Sequence, residues 1–389
     1  MCLLVGLVEA GCATRSFDPV PLERTALLER VRVQSDGFVR VRAGVPGPDE
    51  TRAIFSAALY DRGIQPVWIE VSNRGQVPLR FAPAGMDRQY FSPFEVAYIH
   101  RGGFSKADRE RMERFLHASA MPRQVPSGQM RAGFVFTHVR EGTKGFNVDL
   151  YAVDGTAYGF SFFIDVPGFE PDHAAVDFDA LYAANQLKNV SAEDLRAQLL
   201  ELGCCTSGQR TGEDGLPINA VLIAPGIDLL HALLRAGWQE TVRKPPAWRV
   251  TAQAHWDGRP PDAVFRMPRS KAGDRSELRL WLTPLQVEGT AVWIAQITHY
   301  VKDFLQLSSL DPDVDDARNY LLQSFWYGQG LRQYAWVAGG SAAPIDQPKR
   351  SVWGPAYFTD GYRLVLWLSG PPVGMADTRY VEWDFPPAR

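Results

Sequence analysis

The chain has 389 residues, of which 46% are hydrophobic and 22% are charged, a composition typical of globular proteins. This length allows about two or three domains, each large enough to bury a core. With a net charge of −3, the chain lacks the excess of basic residues that nucleic-acid-binding proteins need, so nucleic acid is not an expected partner. No apolar run reaches the roughly 18 residues that a membrane-spanning helix requires.

The N-terminus carries a pattern of its own. A short apolar run at residues 2–8 is followed by Glu9-Ala10-Gly11-Cys12, with small residues directly before the cysteine. This arrangement resembles a bacterial lipoprotein signal in which Cys12 is the lipidated residue. It predicts a signal at residues 1–12, a polar tether at 13–30, and a periplasmic protein whose partner is a bacterial membrane, with the outer membrane favoured. The alternative is a short disordered tail.

Residues 31–168 show a strand-rich pattern. Short runs with strand character occur at residues 66–71, 133–137, 146–150 and 158–166. One helix interrupts them, because Ser105 opens a capping-box-like start and an apolar stripe follows it. The pattern predicts an N-terminal β-sandwich.

Pro167 and Gly168 end the last of these strands and mark the best domain boundary. We interpret residues 169–217 as a helical linker that includes a helix capped by Ser191. Residues 218–389 then alternate strands with two helices, one at 226–237 and one that Asp311 caps. This order predicts an α+β domain in which helices pack on a largely antiparallel sheet, so the chain is assigned to the α+β class.

The strongest signal in the second domain is a β-hairpin at residues 277–301, where two apolar runs flank Glu288-Gly289. If these two residues form the turn, Leu280 lies opposite Ile297. One face of the hairpin is then rich in leucine and belongs to a core. The other face mixes arginine, tryptophan and amides, and is the candidate binding surface.

The strand at residues 362–368 repeats the alternation seen at residues 279–282. If these strands share a sheet, one surface, which we call the Arg/Trp face, carries six candidate ligand-binding side chains: Arg279, Trp281, Gln296, Thr298, Arg363 and Trp367. Arginine stacked on tryptophan suits an anionic or aromatic ligand. The alternative, and the more frequent arrangement, is that helices cover this face and the arginine stems merely pack.

Other residue patterns argue against familiar catalytic and metal sites. Seven scattered histidines and four cysteines give no metal-ligand spacing, and residues 311–316 lack the glycine of a calcium loop. No nucleophile, phosphate-loop or dinucleotide motif occurs, so no cofactor and no metal are expected. The adjacent Cys204 and Cys205 allow either a vicinal disulfide or two thiols.

Seven spaced blocks stand out in the second half. They are Asn219-Ala220-Val221-Leu222-Ile223, Ala236-Gly237-Trp238, Gly258-Arg259-Pro260-Pro261-Asp262, Leu278-Arg279-Leu280-Trp281, Val292-Trp293-Ile294, Asp311-Pro312-Asp313-Val314-Asp315 and Tyr357-Phe358-Thr359-Asp360-Gly361. Together they resemble the LssY C-terminal domain family of bacterial envelope proteins. Residues 63–68 and 90–93 look like the partner region of lipoproteins that carry this domain, and Cys204-Cys205-Thr206 fits the same pattern.

The resemblance implies an envelope protein but no settled activity. We expect a lipid-anchored protein that serves as a binding or scaffold module for an envelope protein or a small ligand. The alternative is a hydrolase of an envelope lipid or glycan built from Asp262, Arg279 and Asp360. Relatives tend to carry histidines before the Leu-Arg-Leu-Trp and Asp-Pro-Asp-Val-Asp blocks, whereas this chain has Ser276-Glu277 and Ser308-Ser309-Leu310 there. A histidine-based metal or acid–base role is therefore not expected at these positions.

Overall fold

A computed structural model describes residues 15–208, 213–242, 254–269, 274–302, 308–354 and 356–387. The chain divides into two compact units, Met1–Gly168 and Phe169–Arg389. Cys12, the predicted lipidation site, lies outside the described residues. Within the described part, no helix has the length and apolar character needed to cross a membrane.

The first unit contains two antiparallel sheets of four strands each, with orders β1-β2-β3-β6 and β5-β4-β7-β8. Its strands are β1 (Arg32–Asp36), β2 (Val39–Gly44), β3 (Ile64–Asn73), β4 (Leu79–Ala82), β5 (Gln124–Val125), β6 (Met130–His138), β7 (Thr143–Ala152) and β8 (Ala157–Asp165). Its helices are α1 (Pro48–Phe55), α2 (Pro93–His100) and α3 (Lys106–Ser119). The sequence predicted only α3 of these helices. The two antiparallel sheets agree with a strand-rich unit, and the sandwich itself stays a prediction.

One face of the first sheet packs against helices. Trp68 and Phe136 from the sheet share a core cluster with Phe55 of α1 and Met112 of α3. Helix α3 starts where the sequence predicts, because the Ser105 hydroxyl accepts a 3.1 Å hydrogen bond from the Asp108 amide. The apolar residues of the opposite face, such as Val67 and Ile69, are buried as well.

The second unit is built on one sheet of ten strands. The strands of this unit are β9 (Lys188–Val190), β10 (Cys205–Gly208), β11 (Asp214–Pro217), β12 (Ala220–Ile223), β13 (Gln239–Glu240), β14 (Ala254–His255), β15 (Ala263–Pro268), β16 (Arg275–Val287), β17 (Thr290–Lys302), β18 (Ser308–Leu310), β19 (Leu331–Val337), β20 (Lys349–Arg350), β21 (Ala356–Tyr357), β22 (Arg363–Leu368) and β23 (Arg379–Tyr380). Its helices are α4 (Ala192–Glu201), α5 (Gly226–Arg235) and α6 (Val314–Tyr327).

The large sheet runs in the order β13-β15-β16-β17-β12-β22-β19-β23, with β18 added to β17 and β9 added to β16. Its pairs are antiparallel except for β12 with β22, β9 with β16 and β19 with β23. A smaller sheet, β11-β10-β14, and the short pair β20-β21 complete the unit. Helices on a largely antiparallel sheet confirm the predicted α+β class.

Both faces of the large sheet are covered. The leucine face of the β16–β17 hairpin forms a core with Leu229 and Leu233 of α5 and with Leu321 and Phe325 of α6. On the opposite face, α4 contributes to one cluster and Ala254 of the small sheet contributes to another. The alternative in which the two predicted helices cover the Arg/Trp face needs correction. These helices, α5 and α6, lie on the leucine face, and the Arg/Trp face is covered by α4 and the small sheet.

The predicted register of the hairpin is wrong over most of its length. Next to the turn, Val287 pairs with Thr290 as expected, but farther away Leu280 pairs with Ala295 instead of Ile297. The pairing shifts between Leu282 and Gln286. This interval contains Pro284, which has no N–H for the ladder. Because the shift is by two residues, each side chain keeps the face that the sequence predicts.

Two further predictions need correction. Residues 169–217 are not a linker, because α4, β9, β10 and β11 belong to the second unit and β9 pairs with β16. Helix α6 begins at Val314 and not at Pro312, since the carboxylate of Asp313 accepts hydrogen bonds from the amides of Asp315 and Asp316. Asp311 therefore precedes the cap.

Candidate functional site

A well-formed candidate site in the second unit is an apolar cavity of about 490 Å³. It lies on the leucine face, between the N-terminal end of α5 and strands β15–β17, and residues of the 173–187 segment close part of it. The volume falls within the range of about 300–1,000 Å³ that is usual for small-molecule sites.

Aromatic and aliphatic side chains form the walls of this cavity. Phe178 and Trp293 meet edge to face with ring centroids 5.5 Å apart, and both line the cavity. The Trp293 Nε1–H donates to the Ala224 carbonyl at 3.1 Å, which fixes the plane of the indole. Leu230 of α5 and Ala291 of β17 also line the cavity. The site therefore offers an occupant mainly apolar surface.

Two polar side chains that line the cavity already form hydrogen bonds within the protein. The Tyr182 hydroxyl donates to the Leu282 carbonyl at 2.9 Å and accepts from Arg259 Nη2 at 2.8 Å. The Thr283 hydroxyl donates to the Val292 carbonyl at 2.8 Å. These bonds hold the cavity wall together.

His173 is the lining residue with a buried ionisable partner. Its Nε2 lies 2.6 Å from Oε1 of Glu240, whose side chain is fully buried, while the His173 side chain is 24% exposed. The imidazole stacks on the ring of Phe265, with centroids 6.3 Å apart. Backbone pairing of Pro171 with Val242 places the chain around His173 beside β13. This pairing positions the contact between His173 and Glu240.

The Arg/Trp face lies in the interior. Arg279 Nη1 donates to Gln296 Oε1 at 3.0 Å, and Gln296 Nε2 donates to Thr206 Oγ1 at 2.9 Å. Trp281 and Thr298 are 0% and 1% exposed. Gln296 also donates to the Leu216 carbonyl at 3.0 Å. Gln296 thus joins the large sheet to the small one, and a ligand-binding role for these four face residues stays a prediction.

Glu277 is the charged partner of Arg279 in this network. It also pairs with Arg266 at 3.0 Å and with Arg275 at 3.7 Å. Burial acts to raise the pKa of Glu277, but the charges of Arg279, Arg266 and Arg275 prevail and lower it. The carboxylate therefore stays ionised in the interior.

Arg363 and Trp367 occupy the other half of the Arg/Trp face. The Arg363 guanidinium donates to four backbone carbonyls: those of Ile218, Leu199, Leu202 and Gly203. Burial lowers the pKa of Arg363 to about 10. Trp367 packs edge to face on Trp383 at 5.4 Å. Arg363 thereby holds the C-terminal end of α4 and the turn that follows it.

The three residues of the hydrolase alternative have separate partners. Asp262 pairs with Arg259 at 2.8 Å and accepts from the Leu282 amide at 2.7 Å, and burial raises its pKa. Asp360 accepts two hydrogen bonds of 2.8 Å from Arg318. Arg279 pairs with Glu277. None of the three is among the cavity-lining residues.

Cys204 and Cys205 form a disulfide. The disulfide is tied to the segment between β11 and β12, because the Ile218 amide donates to the Cys204 carbonyl at 2.8 Å. The two sulfurs and a carboxylate oxygen of Asp214 lie within 4.8 Å of one another. Since the sulfurs are bonded to each other, neither is a thiolate able to ligate a metal.

The fold and the site define an α+β domain with an apolar cavity on one sheet face and a buried polar network on the other. Residues 199–362 match the family described as LssY C-terminus, so the second unit carries an LssY C-terminal domain. No curated protein matches the chain. The family match begins within α4, whereas His173, Phe178 and Tyr182 of the cavity precede it.

Sequence reasoning missed this cavity. The sequence did contain an indication of it. In residues 169–187, which were assigned to a linker, Phe178 and Tyr182 occur among other apolar residues. A solvated linker does not require large aromatic side chains. That pattern indicates a segment that packs on its own domain.

Proposed function

We propose that this protein is a lipid-anchored component of a bacterial envelope whose LssY C-terminal domain binds an apolar small molecule. The observation that supports binding is the cavity lined by Phe178, Leu230 and Trp293. Apolar pockets with few polar groups are the usual form of small-molecule sites. The proposed anchor is supported by the small residues before Cys12, and the proposed envelope location follows from that anchor.

The cavity favours a binding protein over a hydrolase. Asp262, Arg279 and Asp360 are each held by other side chains or amides of the protein, and none lines the cavity. A general acid or base must lie within hydrogen-bond reach of the reacting atoms. The three residues are better explained as structural groups.

The binding test uses a neutral apolar fluorophore, N-phenyl-1-naphthylamine, whose emission rises in an apolar site. We expect saturable binding to the wild type and a loss of at least about tenfold in affinity for Ala291→Phe, because the new ring occupies the cavity. Ala376→Phe is the matched control, since Ala376 is exposed and does not line the cavity. Non-saturable binding, or equal binding by both variants, contradicts the proposal.

The anchor is tested in cells by incorporation of labelled palmitate. Cys12→Ser should abolish labelling and move the protein from the outer-membrane fraction to the periplasmic fraction. Cys2→Ser is the matched control, because this cysteine lies in the apolar run before the small residues. Palmitate incorporation that survives Cys12→Ser rules out Cys12 as the acylated residue.

A further inference from the structure

We propose that the ligand of the cavity is a long-chain carboxylic acid whose head group hydrogen-bonds to His173. This inference rests on the proposed function, since it specifies the chemical class of the molecule that the cavity binds. The cavity wall is apolar, which suits an alkyl chain, and His173 is the lining group that the fold positions with a buried carboxylate.

Two contacts hold the imidazole in place, and a backbone hydrogen bond anchors the chain beside it. Glu240 binds Nε2 at 2.6 Å, Phe265 stacks on the ring, and the neighbouring Asp172 amide donates to the Thr241 carbonyl at 2.8 Å. An imidazole fixed through one nitrogen presents the other, here Nδ1, in a defined direction. Nδ1 of His173 has no hydrogen-bond partner among the described residues.

A carboxylic acid fits Nδ1 in either protonation state of the pair. If the proton lies on the imidazole, Nδ1–H donates to a carboxylate; if it lies on the acid, the acid O–H donates to Nδ1. In both cases one proton is shared by the two groups and the hydrogen bond is kept. An ester has no proton to share, so it has an equivalent partner only when the imidazole is protonated.

The hydroxyl and carboxylate groups that also line the cavity do not offer an equivalent site. Tyr182 and Thr283 are bonded within the protein. Asp179 is solvent-exposed and carries the same charge as a carboxylate, so it disfavours a head group beside it. The head group of an acid is therefore best placed at His173, with the chain along Phe178 and Trp293.

The preference for acid over ester separates this inference from simple apolar binding. An apolar cavity without a head-group partner binds methyl dodecanoate more tightly than dodecanoic acid, because burying an unpaired carboxylate costs free energy. A partner at His173 reverses the order. We expect the wild type to bind the acid about tenfold more tightly than the ester, which corresponds to about 1.4 kcal/mol.

The experiment measures the affinity of both compounds for the full chain by calorimetry and by displacement of N-phenyl-1-naphthylamine. His173→Gln keeps an N–H donor for Glu240, and His173→Phe keeps an aromatic ring; both should lose the preference for the acid. His117→Phe is the control, because His117 is exposed on α3 of the first unit. Loss of the preference in both His173 variants, with ester binding retained, supports the inference.

The remaining outcomes distinguish failure of the head-group assignment from failure of the proposed function. If the wild type binds acid and ester equally, or if both His173 variants keep the preference, the head-group assignment is overturned and the apolar site remains. If neither the acid, the ester nor the fluorophore binds the wild type, the proposed function fails, and this inference fails with it.

Discussion

The hydroxyl of Thr359 donates a 2.6 Å hydrogen bond to Oδ1 of Asp315, and both residues are buried. The other carboxylate oxygen accepts from the Asp360 amide at 2.7 Å. Asp315 lies at the start of α6 and Thr359 precedes β22, so these bonds join two of the sequence blocks that mark the family. Arg318 extends the contact by pairing with both Asp315 and Asp360. In this chain the two blocks fasten a helix to the central sheet.

These hydrogen bonds predict that loss of the Asp315 carboxylate destabilises the protein. Asp315→Ala leaves the Thr359 hydroxyl and the Asp360 amide without their buried acceptor, and each such loss costs about 1–3 kcal/mol. We expect the free energy of unfolding to fall by about 2–6 kcal/mol, the sum of these two costs. Urea unfolding followed by tryptophan fluorescence measures it, since all the tryptophans except Trp68 lie beyond residue 168. Asp316→Ala is the control, because Asp316 is exposed; equal effects of the two variants contradict the role assigned to Asp315.

The buried ion pair of Arg279 predicts a stability defect of a different kind. Arg279→Met removes the guanidinium that pairs with Glu277 and donates to Gln296. Breaking a buried ion pair from one side costs about 3–5 kcal/mol, because the other charge stays buried, although Arg266 and Arg275 reduce this cost here. The double variant Arg279→Met with Glu277→Gln should recover part of the loss.

The same urea experiment distinguishes this explanation from simple loss of packing. Arg332→Met is the matched control, because Arg332 is exposed on β19. If the double variant is less stable than Arg279→Met alone, the ion pair is not the source of the defect. If Arg279→Met is as stable as the control, the interior network does not depend on Arg279.

The hairpin shows how far the sequence predicts this fold. Alternation alone assigns Leu280 and Arg279 to opposite faces correctly, because the side-chain period of a strand is two. Alternation does not give the register of the hairpin, because the pairing shifts by two residues between Leu282 and Gln286, in the stretch that contains Pro284. Strand β9, which pairs with Leu285–Val287, comes from about a hundred residues earlier in the chain, and no local pattern indicates it.

The candidate site is less predictable than the fold. Whether the Arg/Trp face is open depends on β10, β11 and β14, which have at most four residues each and are too short to show a period. The cavity depends on His173 and Phe178, which are distant in sequence from Trp293 and line the same cavity only in the folded unit. Such sites arise from tertiary packing and leave only a weak compositional signal.

Lys144 predicts a pH dependence in the first unit. Its ammonium donates to the His138 carbonyl at 2.6 Å, and burial, with a further contribution from the Arg140 charge, lowers the pKa of Lys144 to about 7. The unfolded chain has a lysine pKa of about 10.4. Between these values the unfolded state binds more protons than the folded state, so the free energy of unfolding rises with pH, by on the order of 1 kcal/mol per pH unit.

Lys144→Met should remove this slope between about pH 7 and pH 10. Trp68 is the one tryptophan of the first unit and is buried, so urea unfolding followed by ¹⁹F NMR of 5-fluorotryptophan reports that unit separately. Lys106→Met is the control, because Lys106 is exposed, and it should keep the wild-type slope. A slope that survives in Lys144→Met assigns the pH dependence to other groups.

The dimensions of the cavity predict how affinity depends on chain length. In a homologous series from octanoic to hexadecanoic acid, each methylene transferred from water into the cavity contributes about 0.8 kcal/mol, so affinity should rise about fourfold per methylene. The increase should stop when the cavity of about 490 Å³ is full. In Ala291→Phe the new ring occupies part of this space, so the plateau should begin at a shorter chain, while Ala376→Phe should match the wild type. A plateau at the same chain length in all three proteins shows that the chains bind elsewhere.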